Sequence, residues 1–147
     1  MELNELVKSS HGNAVSKGFY DLPKSILDKM RMSLFSLEEI NAVKDAFIGQ
    51  RLMLITSELG EALEANRKKR NAKDDVGSMR VLNEFIEDDR FVEYFKTNVK
   101  DTFEDELADV QIRLADLSGW LDIPLEEHTK AKARYNSTRE HMHGKQY

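Results

Sequence analysis

The sequence predicts an all-α fold, a helical bundle, on three observations. Long stretches are built from Ala, Leu, Glu, Lys and Met, and only seven glycines and two prolines interrupt the 147 residues. Apolar residues recur at helical spacing, with no useful length of strand-like alternation, no internal repeat and no heptad array. Start and stop signals then divide the chain into separate helices. A chain of this length is expected to form one domain, residues 1–147, without disulfide or metal staples.

Taken in order, residues 2–17 carry a loose apolar spacing at Leu3, Leu6, Val7, Ala14 and Val15, with Gly12 a weak point and Gly18 the end. Residues 19–35 contain Pro23 and mixed polarity, which predicts a connection with one short helix at 25–31. Ser36 and Glu39 form a capping box, which satisfies free backbone donors and starts a long helix over 37–69, with Gly49 the place where it can kink. Its stripe, Ile48, Leu52, Ile55, Leu59, Ala62 and Leu63, is expected to face the core. The charged run KKRNAKDDVGS then reads as a surface loop.

Over residues 79–98, Leu82, Phe85, Ile86, Phe91, Val92 and Phe95 fill one side of one or two short helices, interrupted by Asp88 and Asp89. Thr102 stands at capping-box spacing before Asp105 and opens a helix with the stripe Phe103, Leu107, Val110, Leu114, Leu117 and Leu121. Gly119, Asp122 and Pro124 mark its stop and the start of a last helix over 124–136, in which Glu126 and Lys130 stand at the favourable i,i+4 spacing. The tail TREHMHGKQY is polar and basic.

Composition narrows the function classes. No apolar run approaches the roughly 20 residues that span a bilayer, so no membrane partner is expected. The absence of cysteine excludes thiolate sites, and MELNELVKSS lacks the apolar core of a signal peptide, so the expected location is the cytoplasm. With 27 acidic and 22 basic residues the net charge is -5, which argues against gripping a nucleic-acid backbone. Small anionic substrates stay open, because a divalent cation inverts the sign of an acidic pocket.

Two acidic pairs carry the chemistry. Glu58 and Glu61 in SELGEALE share one flank of their helix, and Glu106 and Asp109 in EDELADVQ share the same rotational side of theirs. If the two helices pack antiparallel through their stripes, all four carboxylates line one seam. Like charges about 4 Å apart repel by about 4 kcal/mol per pair at an effective dielectric of 20, so a cation is required there. Hard oxygen ligands suit Mg²⁺ or Mn²⁺, which can hold phosphate oxygens and keep water as a nucleophile. Glu61 lies further from the stripe and has the better access to water for proton transfer. Iron is the chemical competitor, but Glu61 and Asp109 stand where the usual di-iron pattern has histidine. Each pair taken alone is also readable as a solvated flank, and Glu64 is assigned to surface support.

At these residues the chain resembles the MazG-like nucleoside triphosphate pyrophosphohydrolases, an all-α family with E-E-x-x-E on one helix and E-E-x-x-D on a later one. The first motif stands as Ser57-Glu58-Leu59-Gly60-Glu61 and the second as Asp105-Glu106-Leu107-Ala108-Asp109, so the leading acidic position of each departs from the pattern. NAVSKGFYD at 13–21 and KARYNSTREHMHGKQY at 132–147 resemble the flanks of small stand-alone members. The resemblance implies Mg²⁺ held by Glu58, Glu61, Glu106 and Asp109, and cleavage between the α and β phosphates of a nucleoside or deoxynucleoside triphosphate. It also implies a homodimer or a dimer of dimers.

Lys132, Asn136 and Arg139, spaced four and three apart, resemble the family's basic and Asn positions and are expected at the phosphates, with Lys100 and Lys145 as further contacts. Asn13, Phe19 and Tyr20 are expected at the nucleobase or sugar, with core packing of Phe19 and turn duty for Asn13 as alternatives. The four histidines lack zinc-ligand spacing, and Trp120 is assigned to packing or a subunit contact. Phosphoribosyl-ATP pyrophosphohydrolase and a non-catalytic metal- or nucleotide-binding module are the competing functions.

Overall fold

A computed structural model describes residues 1–72, 79, 83–84 and 87–139, among which there are six helices and no strand. The helices are α1 Leu3–Ser16, α2 Asp21–Arg31, α3 Leu37–Arg67, α4 Asp88–Asn98, α5 Phe103–Trp120 and α6 Leu125–Ser137. The all-α expectation therefore holds. Among the described residues no helix is long and apolar enough to cross a membrane.

Local signals account for most helix ends. The Ser36 backbone N–H donates to Glu39 Oε2 at 2.7 Å and the Glu39 N–H to Ser36 Oγ at 3.2 Å, the reciprocal capping box expected at the start of α3. The Ser36 N–H and the Ser36 hydroxyl, both donating to Glu39 Oε2, hold the Glu39 carboxyl below its ordinary value. Gly18, Lys69 and Asp122 take left-handed backbone just after α1, α3 and α5. In each case the next N–H bonds five residues back, Phe19 to Ala14, Arg70 to Ala65 and Ile123 to Ser118, which closes free carbonyls at the helix end.

One helix start differs from expectation for a physical reason. The second helix starts at Asp21 rather than residue 25, because Pro23 sits in the first turn, where its missing N–H costs nothing. Asp88 and Asp89, which interrupt the apolar pattern, open α4, where their charge favours the positive end of the dipole. Gly119 lies near the end of α5, which stops at Trp120, as expected. Gly12 and Gly49 break nothing: α1 and α3 pass through both.

The chain divides into two compact units, Met1–Asp45 with Leu114–Tyr147, and Ala46–Arg113. In the first, Tyr20, Leu27, Met30, Ala115 and Leu117 are buried. Glycine at 119 lets α1 come close: a Cβ there would lie 2.6 Å from His11 Cβ and 3.3 Å from the Val7 carbonyl oxygen. Beside this contact the Tyr20 hydroxyl donates to Asp116 Oδ1 at 2.8 Å, and His11 Nδ1 lies 2.9 Å from the same oxygen.

In the second unit the buried row of α3 is Glu58, Ala62 and Ala65, spaced at i, i+4 and i+7. Apart from Ala62, this is not the expected stripe. Leu52, Leu59 and Leu63 are 48%, 49% and 59% exposed, and Leu107 of α5 is 37% exposed. The covered row is therefore that of Glu58, Ala62 and Ala65, and the large side chains Leu52, Leu59 and Leu63 stay exposed. Of the apolar positions expected over 79–98, Leu82, Phe85 and Ile86 lie outside the described residues. Phe91 and Phe95 pair at 5.8 Å between ring centres, and Val92 is exposed.

Candidate metal centre

The residues after α3 are tied to the first turn of α5. The Phe103 N–H donates to the Arg70 carbonyl at 2.9 Å, and the Glu104 carboxylate accepts from the Ala72 N–H at 2.8 Å and from Asn71 Nδ2 at 3.2 Å. Thr102 Oγ1 accepts the Asp105 N–H at 3.4 Å, as expected of a cap. The return bond differs from a capping box, because the Asp105 carboxylate takes the Asp101 N–H at 2.9 Å rather than that of Thr102.

These ties bring Glu58 of α3 to Glu106 and Asp109 of α5. Carboxylate oxygens of the three lie within 4.8 Å of one another, and Glu58 and Glu106 are only 6% and 5% exposed. Glu61, the fourth expected ligand, is exposed on the flank and is not in that group, yet its charge acts on Glu106 and Asp109. A second acidic group, Asp101, Asp105 and Glu106, shares Glu106 with the first.

Burial pushes the Glu106 carboxyl up to about 7, helped by the charges of Glu61, Glu58, Asp105 and Asp109. Burial also raises Asp109, with Asp105 and Glu58 adding to the rise and Arg113 opposing it. Arg113 Nη2 lies 2.6 Å from Glu58 Oε1, while Arg113 Nε is buried with no hydrogen-bond partner. The donor set is all hard oxygen, and two of its carboxylates are buried. That is the chemistry a hard divalent cation fits.

A cavity of about 570 Å³ adjoins the cluster, lined by Phe95, Val99, Ile112, Lys100, Asp105 and Asp109 among others. Lys100 is therefore placed beside the acidic group, with its Nζ 3.5 Å from Asp101 Oδ1.

The other expected contacts belong to the first unit. Lys132 and Asn136 are exposed on α6 and line one shallow groove with His128, while Arg139 lies beyond the end of that helix. Lys132 and Arg139 stand over the Tyr135 ring at 5.0 and 5.8 Å. Lys145 lies outside the described residues. Asn13 and Phe19 are exposed, whereas Tyr20 is buried, with ring centres 4.9 Å from His11 and 5.5 Å from Trp120. Glu64 has the surface role expected of it, bonded to Lys68 at 2.9 Å.

Sequence reasoning missed Arg113 and Asp101. The signal for Arg113 was its place four residues after Asp109, one turn along the same face. Comparison with protein-family models, curated proteins and solved structures finds no match to this chain.

Proposed function

We propose that the protein is a Mg²⁺-dependent nucleoside or deoxynucleoside triphosphate pyrophosphohydrolase, releasing monophosphate and pyrophosphate. The observation that carries this reading is the convergence of Glu58, Glu106 and Asp109 within 4.8 Å, at the residues that resemble the MazG-like motifs. An antiparallel pairing of α3 with α5 is part of the reading. It is supported by the order of contacts, Glu58 with Arg113 and Arg70 with Phe103.

When bound, Mg²⁺ or Mn²⁺ supplies positive charge to phosphate oxygens and an acidified water. Glu58, Glu106 and Asp109 would hold the ion, the first two from buried positions. Glu61, exposed on the flank, would be the fourth ligand and the residue that accepts a proton from water. Lys100, on the cavity wall, would meet phosphate oxygens; Lys132, Asn136, Arg139 and Lys145 are assigned to phosphate contact by the resemblance alone. Asn13, the exposed Phe19 ring and Tyr20 are the residues assigned to the base or sugar.

A cytoplasmic homodimer or dimer of dimers accompanies this reading, supported by the exposed Leu52, Leu59 and Leu63. The test is incubation of purified chain with each common triphosphate and Mg²⁺, with products separated by anion exchange. Equal monophosphate and pyrophosphate is the expected result; diphosphate with orthophosphate overturns it.

A further inference from the structure

We propose that Arg113 is the resident countercharge of the carboxylate cluster, holding Glu58 until a divalent cation displaces its guanidinium. The proposal rests on the metal reading above. Arg113 and Asp109 stand one turn apart on α5, so both side chains leave the same face. The Arg113 guanidinium meets Glu58 at 2.6 Å, and Glu58 is a buried carboxylate that would otherwise lack compensation beside Glu106 and Asp109.

The pairing is nevertheless half made. A settled arginine places two donors on one carboxylate, whereas here Nε is buried without an acceptor and one contact joins Nη2 to Glu58 Oε1. The Glu58 oxygens cannot serve a guanidinium and an inner cation equally well, and the doubly charged ion has the stronger claim. Arg113 has a way out, since its side chain is 41% exposed. It is thus a positioning residue: it keeps the cluster assembled and lowers cation affinity by the amount needed to displace it.

Mn²⁺ alone, titrated into metal-free full-length protein and followed by the paramagnetic resonance of the free ion, reads this competition without turnover. R113M, which removes the charge and keeps the stem, is expected to bind Mn²⁺ about tenfold tighter than the unaltered chain, a figure that allows for solvent screening. R113K, which keeps the charge, is expected within about threefold of it. Binding by the unaltered chain with equal or weaker binding by R113M overturns the role of Arg113 and leaves the metal reading standing. Absence of binding in all three proteins overturns both.

Should R113M fail to fold, the Arg113 Nε–H nuclear resonance of the unaltered chain, assigned by its loss in R113K, decides. A shift of that signal as Mg²⁺ fills the site is expected. A signal that stays fixed while the site fills overturns the proposal.

Discussion

Arg113 Nη2 and Glu58 Oε1 lie 2.6 Å apart, so the most buried carboxylate of α3 is neutralised by a cation from α5. The pair sets the two ligand carboxylates Glu58 and Asp109 on different footings. Glu58 has a strong ionic partner, whereas burial and its acidic neighbours raise Asp109 and Arg113 only opposes them.

Without metal, Asp109→Asn is therefore expected to stabilise the protein, because it removes repulsion and keeps the side-chain size. A gain of about 0.5–1 kcal/mol, or about 2–4 °C in Tm, is the expected scale. Glu58→Gln is expected to lower Tm, since it strips Arg113 of its anion. Circular-dichroism melts in a chelator check both, and each variant is expected to lose Mn²⁺ affinity by about tenfold or more.

The Glu106 carboxyl, raised from 4.5 to about 7, makes stability depend on pH. Between those values the folded chain holds a proton that the unfolded chain releases, so this contribution favours folding less as pH rises and levels off above about 7. Denaturant midpoints of metal-free protein, taken as the difference from Glu106→Gln, should fall from pH 4.5 to 7. Mg²⁺ affinity should rise over the same interval, because the ion and the proton compete for one carboxylate. A flat difference curve contradicts the burial assigned to Glu106.

Glu106→Gln is expected to lower triphosphate turnover by about 100-fold or more while leaving helicity unchanged, since it deletes a ligand charge and no apolar packing. Oxygen-18 from water should appear in the monophosphate if attack falls on the α phosphorus, and in pyrophosphate if it falls on the β. Full turnover by the variant would refute the assignment of the centre.

Leu59 is 49% exposed between Leu52 and Leu63, and a charge there has no core to disturb. Sedimentation at micromolar concentration should find the unaltered chain above the 17.0 kDa of one copy. Leu59→Asp is expected to shift it to that mass. A single-copy mass for the unaltered protein ends the self-association proposal.

Gly119→Ala tests the approach of α1 to α5. The new Cβ meets His11 Cβ at 2.6 Å, so one helix must move, at a cost of about 1–3 kcal/mol. Thermal unfolding should show a lower Tm, whereas an unchanged Tm would mean the contact is looser than described.

By itself the sequence determined what is local. Ser36 and Glu39 are three residues apart, so their reciprocal bonds, and the start of α3, depend on nothing distant. The left-handed closure at Gly18 and the i,i+4 pair of Glu126 with Lys130, 2.6 Å apart, were legible for the same reason. The acidic spacing within each helix was legible too, since Glu58 with Glu61 and Glu106 with Asp109 follow from helical period alone. The tertiary structure decided which row of each helix is covered. On α3 a row of large leucines and a row of Glu58, Ala62 and Ala65 share the same period, and periodicity cannot rank them. In the folded chain the second row is the covered one, with Glu58 inside and Glu61 on the flank. The same packing chose Arg113 as the partner of Glu58, because a contact between residues so distant in the chain exists only once their helices are side by side.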